Sequence, residues 1–132
     1  MSHFTRIKTK IVDQACLLKA LADLGYHTVE VGSGLNLFGY HGDMRPDTAE
    51  VVVRRKYLTS ASNDIGFKLL EDGTYEAIVS EYDTHALRGW LDNVTQRYAY
   101  NVVKQQAEWQ GYQVIGEETQ VDGTIQLVFQ RW

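Results

Sequence analysis

Two Asp-Gly dipeptides, Asp72-Gly73 and Asp122-Gly123, each stand between runs of alternating apolar residues, and this pair of signals limits the fold more than any other feature. Asp-Gly between two alternating runs is the strongest short hairpin signal that a sequence offers. Ile65, Phe67 and Leu69 lead into the first turn, and Tyr75, Ala77 and Val79 leave it. Val114 to Val121 lead into the second, and Ile125, Leu127 and Phe129 leave it. Two antiparallel hairpins are therefore expected.

Between them Leu87, Leu91, Val94, Tyr98 and Val102 recur at the spacing of an amphipathic helix. The main helix is expected from about Asn93 to Gln110. Asn93 with Gln96 resembles a capping box, and a short helix over His85 to Leu91 is expected to bend or break before it. An earlier helix has Asp13 as its N-cap, Val12 and Leu17 as a hydrophobic staple, and Leu17, Leu18, Leu21 and Leu24 as its apolar positions. Gly25 ends it as the C′ residue, with Tyr26 folding back onto Leu21.

The remaining segments read as strands. Phe4 to Ile11 alternates loosely with a charged face, which suits a sheet edge, and His27 to Val31 with Leu35 to Tyr40 gives two short strands or one bent hairpin. His41 to Asp47 holds the only proline among dense turn formers and reads as a loop. Thr48 to Tyr57, with Val51-Val52-Val53 at its centre, belongs inside a sheet. Helix, Gly-Tyr, strand and strand occur in that order at Gly25-Tyr26 and again at Gly111-Tyr112. The expected class is α+β: one domain over residues 1–132, a single antiparallel sheet with two helices packed on one face, and an option of two β-α-β-β-like pseudo-repeats.

Composition narrows function only by exclusion. Thirteen Lys and Arg against seventeen Asp and Glu give a net charge of -4, which disfavours nucleic acid as a partner. Cys16 is the single cysteine, in the apolar run Ala15-Cys16-Leu17-Leu18, so a buried thiol is expected and an internal disulfide is impossible. No leader-like or membrane-spanning apolar run is present, so a soluble cytoplasmic protein is expected.

No diagnostic catalytic spacing appears. His3, His27, His41 and His85 are far apart, and no cofactor or metal set is called for; the best local group is the His41 to Asp47 loop with Asp83 and His85. If these met, a small-molecule or metal-dependent enzyme would be the alternative function. Arg54-Arg55-Lys56 is the only basic run and the basis of a second alternative, nucleic-acid binding, but strand alternation splits it between two faces. Gly32-Ser33-Gly34 lacks a phosphate-loop pattern, and Ser60 to Asn63 lacks a nucleophile-elbow context and reads as a turn. Aromatics are more informative. Arg97, Tyr100, Asn101 and Lys104 flank the apolar stripe of the main helix and, with Trp109 and Trp132, make a candidate contact surface.

Met1-Ser2-His3-Phe4-Thr5, Asp64-Ile65-Gly66-Phe67, Gln96-Arg97-Tyr98-Ala99-Tyr100, Asp122-Gly123-Thr124-Ile125 and Arg131-Trp132 stand in an order that resembles the hypothetical chloroplast reading frame thirty-five family of cyanobacteria and algal plastids. The resemblance covers essentially the whole chain. It implies a cytosolic or stromal protein of a photosynthetic organism and carries over no activity or site residue. A non-enzymatic protein-interaction or accessory module is the expected function, with a protein partner or a second copy of the chain as its ligand.

Overall fold

The structure is a computed structural model, and it describes residues 4–58, 62–81, 83 and 89–131. Strand β1 (Phe4–Lys8) is followed by helix α1 (Gln14–Asp23), strands β2 (Glu30–Phe38) and β3 (Met44–Val53), a short 3-10 turn (Arg55–Tyr57), and the hairpin β4 (Ile65–Leu69) and β5 (Tyr75–Ser80). Helix α2 (Trp90–Trp109) and the hairpin β6 (Tyr112–Thr119) and β7 (Ile125–Arg131) complete the order. Strands β1 to β5 form one antiparallel sheet in the order β1-β5-β4-β3-β2. Among the described residues strands β6 and β7 pair only with each other, so the expected single sheet is divided into one of five strands and one of two. The α+β class stands.

Both helices pack on one face of the large sheet. Cys16, Leu17, Ala20 and Leu21 of α1 and Val94 and Tyr98 of α2 close over Val51, Val53, Phe67 and Ala77. The other face holds a smaller cluster of strand residues, Leu37, Ala49, Val52 and Ile78. β3 is thus buried on both faces at its Val51 to Val53 centre, as its β-branched run required. Arginine guanidinium groups stack on two rings of the sheet: that of Arg45 lies 5.8 Å from the centre of Phe4, which packs against this second cluster, and that of Arg54 5.5 Å from the centre of Phe38.

Local chemistry explains the element ends. The Asp13 carboxylate accepts from the Cys16 amide at 3.0 Å, capping α1. Gly25 takes a φ of 101°, and the Tyr26 amide reaches the Leu21 carbonyl at 2.9 Å, closing a Schellman turn; Gly111, φ 87°, ends α2 in a related way. Val12, the expected staple residue, is 60% exposed, and its amide and that of Asp13 donate to the Tyr98 hydroxyl, each at 3.0 Å. α2 begins with Gly89 as its N-cap, four residues before Asn93, so the expected capping box is absent. The bend expected over His85 to Leu91 falls largely outside the described residues.

The proline loop is shorter than expected. Gly39 to Asp43 makes the turn, with the Gly39 amide donating to the Asp43 carbonyl at 2.8 Å, and Pro46 lies inside β3. β3 has only β2 beside it there, since its ladder with β4 spans Val51 to Val53, and a strand with one open side tolerates a missing N–H. The two helix-Gly-Tyr segments diverge in destination: the first enters the large sheet, the second its own hairpin.

Candidate functional site

The contact residues expected on α2 are brought together, but as a brace between elements. Arg97 Nε donates to Asp23 Oδ2 of α1 at 2.7 Å, its NH1 donates to Glu117 Oε1 of β6 at 3.1 Å, and its guanidinium lies 3.8 Å from the centre of the Tyr100 ring. Asn101 Nδ2 donates to the same Asp23 oxygen at 3.2 Å. Tyr100 and Asn101 are buried, contrary to the surface position expected for Tyr100. The reason is geometric: the β6-β7 hairpin folds over the flank of α2 that carries them, which the helical period alone does not reveal. Burial pushes the Asp23 carboxyl up, but hydrogen bonds from Arg97 and Asn101 and the charges of Arg97 and Lys104 outweigh it and leave it below its ordinary value. Burial and the Glu117 carboxylate push the Tyr100 phenol up.

Further along α2 the surface turns apolar. Trp109 is 76% exposed, Val103 is exposed as well, and a slot of about 260 Å³ opens between Val103 and Ala107 of α2 and Tyr112 and Phe129 of the hairpin. Trp132 lies outside the described residues. On the hairpin, Ile115 and Val128 are exposed as well. Arg131 caps one end, its NH1 donating to the Tyr112 hydroxyl at 2.8 Å with the guanidinium 4.9 Å from that ring's centre.

The first residue of the basic run is neutralised where it stands. Arg54 forms a fork with Glu30 (2.6 and 3.0 Å) and donates from NH1 to Asp64 Oδ2 at 2.8 Å and to the Asn36 carbonyl at 2.8 Å. The hydrogen bond from Arg54 holds the Glu30 carboxyl below its ordinary value. A broad depression of about 690 Å³ adjoins this group, bordered by Phe38, Gly42, Arg55 and Lys56. His41 is exposed and packs its ring 4.7 Å from that of Tyr40, while Asp43 and Asp47 pair with Arg45 and Arg6. His85 lies outside the described residues. Among the described residues no three His, Cys, Asp or Glu side chains converge as a metal set.

A buried polar cluster lies beside it, built partly from the segment expected as a turn, Ser60 to Asn63. Ser62, Asn63, Asp64 and Asp83 are all essentially sealed from solvent. Asp64 accepts from the Phe38 amide (2.8 Å), the Arg55 amide (2.7 Å) and Arg54, which ties the ends of β2 and β3 to the start of β4. Asn63 Oδ1 accepts from the Tyr40 amide at 2.8 Å, and the Asn63 amide donates to Asp83 Oδ2 at 2.9 Å. The other oxygen of Asp83, Oδ1, is buried without a hydrogen-bond partner. The only signal that could have found this cluster is the density of four small polar residues, Ser60, Ser62, Asn63 and Asp64, immediately ahead of an apolar strand.

No described helix is long and apolar enough to cross a membrane. A family described as a protein of unknown function, DUF1257, matches residues 20–128. The chain is similar to the uncharacterized protein ycf35 of Cyanophora paradoxa, with 30% identity over 136 residues that take in 100% of this chain and 98% of the relative. The protein of the same description in Pyropia yezoensis is 30% identical over 135 residues, with the same coverage of both chains. No solved structure matches. The residues that carried the resemblance to the chloroplast reading frame are thus spread over an alignment of the whole chain, and the protein belongs to the DUF1257 family.

Proposed function

We propose that the protein is a non-catalytic binding module of the cytoplasm or plastid stroma that acts by joining a second copy of itself along the open edge of β7. The observation that carries this reading is the difference between β7 and the other three outer strands. β1 carries Arg6 and Lys8, β2 is broken by register shifts and by Gly32 and Gly34, and β6 has a bulge at Ile115 and the acids Glu117 and Glu118. Cations, bulges and breaks are how strand edges avoid pairing with one another. β7 has none of these from Ile125 to Gln130.

Its one charge, Arg131, favours a two-fold arrangement. In an antiparallel pairing centred on Val128, Arg131 of each copy faces Ile125 of the other, so the cations stand at opposite ends and Phe129 meets Leu127. Like charges never face each other, and apolar cross-strand pairs stabilise the centre. Val128 sits across from Gly116 on its own hairpin, leaving that face flat. The slot between Val103 of α2 and Phe129 of the hairpin supplies apolar surface beside β7, and Trp109 is exposed at the end of α2.

Sedimentation at micromolar concentration tests this. The wild type is expected to dimerise, Val128→Lys to shift the equilibrium to monomer with the fold intact by circular dichroism, and Trp109→Ala to weaken association less. A wild type that stays monomeric throughout removes the reading, whereas a dimer indifferent to Val128→Lys relocates the interface and rejects the β7 edge.

A further inference from the structure

We propose that the broad depression bordered by the ends of β2 and β3 binds a small phosphate monoester with a flat ring at its other end, the class to which mononucleotides belong. Arg55 and Lys56 take the phosphate, and Phe38 lies against the ring. The depression holds about 690 Å³, within the range of small-molecule sites. It belongs to the large sheet and stands apart from the β7 edge, so it is independent of any pairing between copies.

The described lining carries two carboxylates, Glu30 and Asp64, and three cations, Arg54, Arg55 and Lys56. Both carboxylates are already engaged from within the protein. Glu30 takes the Arg54 fork at 2.6 and 3.0 Å, and Asp64, with its side chain 2% exposed, accepts from the Phe38 amide, the Arg55 amide and Arg54. Arg54 in turn has its donors on Glu30, Asp64 and the Asn36 carbonyl. The other two cations are placed differently. Arg55 is half-buried and Lys56 exposed, and among the described residues neither side chain forms an ion pair. Lys56 Nζ lies 5.0 Å from the centre of the Tyr57 ring, and its charge joins the Arg54 hydrogen bond in holding the Glu30 carboxyl low, which leaves Arg55 as the main anchor. Residues outside the described set include no Asp or Glu, so their side chains cannot reverse the sign of the lining.

Two neighbouring cations without a carboxylate of their own attract an anion, and a phosphate dianion offers an oxygen to each. The backbone that carries them is fixed in advance. Asp64 Oδ1 accepts from the Arg55 amide at 2.7 Å, and the amides of Tyr57 and Leu58 close the 3-10 turn on the Arg54 and Arg55 carbonyls, each at 3.0 Å. A site fixed in advance loses little freedom when a ligand arrives. Phe38 adds a flat apolar contact: it is half-buried, it is the one aromatic residue on the described lining, and the Arg54 guanidinium stacks 5.5 Å from its centre. A ligand with both a ring and a phosphate uses both features, whereas inorganic phosphate or a bare nucleoside uses one.

The test titrates adenosine monophosphate, adenosine and inorganic phosphate separately into the full chain at neutral pH while amide resonances are followed by NMR. Adenosine monophosphate is expected to give saturable shifts at Phe38, Gly42, Arg55 and Lys56. It should bind about tenfold more tightly than adenosine, since two partly exposed charge contacts together contribute about that factor, and more tightly than inorganic phosphate. In the double variant Arg55→Gln, Lys56→Gln the advantage over adenosine should fall close to one. The proposal is overturned if those amides do not respond to adenosine monophosphate, if adenosine or inorganic phosphate binds as tightly, or if the double variant keeps the advantage. Should that variant fail to fold, the comparison of the three probes on the wild type decides alone.

Discussion

At the scale of single residues, the side chains that matter are those whose polar atoms find, or miss, partners far away in sequence. Tyr98 was legible as core from its place in the stripe Leu91, Val94, Tyr98 and Val102, and it is buried. Its hydroxyl was not, because the amides it serves, Val12 and Asp13, are more than eighty residues away. Tyr98→Phe keeps the ring and strips two backbone donors of their acceptor, so urea unfolding should show a loss of about 1–3 kcal/mol with an unchanged m value. Asp83 poses the opposite case. Burial pushes its carboxyl above the ordinary value, and the hydrogen bonds from Asn63 and Ser62 only partly oppose this. A carboxyl that binds its proton more readily folded than unfolded loses stability as pH rises from the ordinary aspartate range through its raised value. Asparagine does not titrate and can still accept from the Asn63 amide. Asp83→Asn should therefore gain melting temperature relative to the wild type from acid towards neutral pH, and a constant difference across that range contradicts the assignment. Asp23 and Glu30 have the other sign: both sit below their ordinary values, and the stability they contribute is lost as pH falls through those lowered values.

At the scale of elements, period and punctuation carried the reading. The Asp-Gly hairpins, the Asp13 cap and the Gly25 and Gly111 stops are local, and each involves residues only a few positions apart. What period could not settle was which strands share a sheet and where α2 begins, because both depend on partners chosen in three dimensions. Gly66 illustrates this. In sequence it is a gap in the alternation of Ile65, Phe67 and Leu69, whereas in the fold it lets β4 approach the second apolar cluster. A Cβ there would lie 2.7 Å from the Ala49 Cβ and 3.0 Å from Leu37 Cδ2, both on fully buried residues. Gly66→Ala is expected to cost about 1–3 kcal/mol by overpacking. Adding Ala49→Gly removes the nearer collision, so the double variant should be more stable than the sum of the two single effects by at least about 0.5 kcal/mol in a double-mutant cycle. Additive losses would mean that the strain is relieved elsewhere.

At the scale of the whole molecule, the fold is one strongly buried body with a hairpin attached to it. Both apolar clusters are built from β1 to β5 and the helices, and neither contains a described residue of β6 or β7. The hairpin is held by the Arg97 to Glu117 ion pair, by the Gln96 side-chain amide donating to the Gly123 carbonyl, and by its packing on α2. A two-stranded ribbon is marginal alone, and its attachments are mostly exposed polar bonds of small net worth. Native-state hydrogen exchange should accordingly show the β6 and β7 amides opening at a lower free energy than those of β3, β4 and β5, and Arg97→Met should lower hairpin protection while leaving the central strands nearly unchanged. Equal protection throughout would mean that the brace at Arg97 makes the hairpin part of one cooperative unit. The same experiment bears on assembly. If two copies join along β7, the outward amides of that strand acquire partners only in the dimer, so their protection should rise with protein concentration while that of the central strands stays level. A loosely held ribbon that becomes ordered by pairing would then be both the least stable part of the monomer and the surface through which it works.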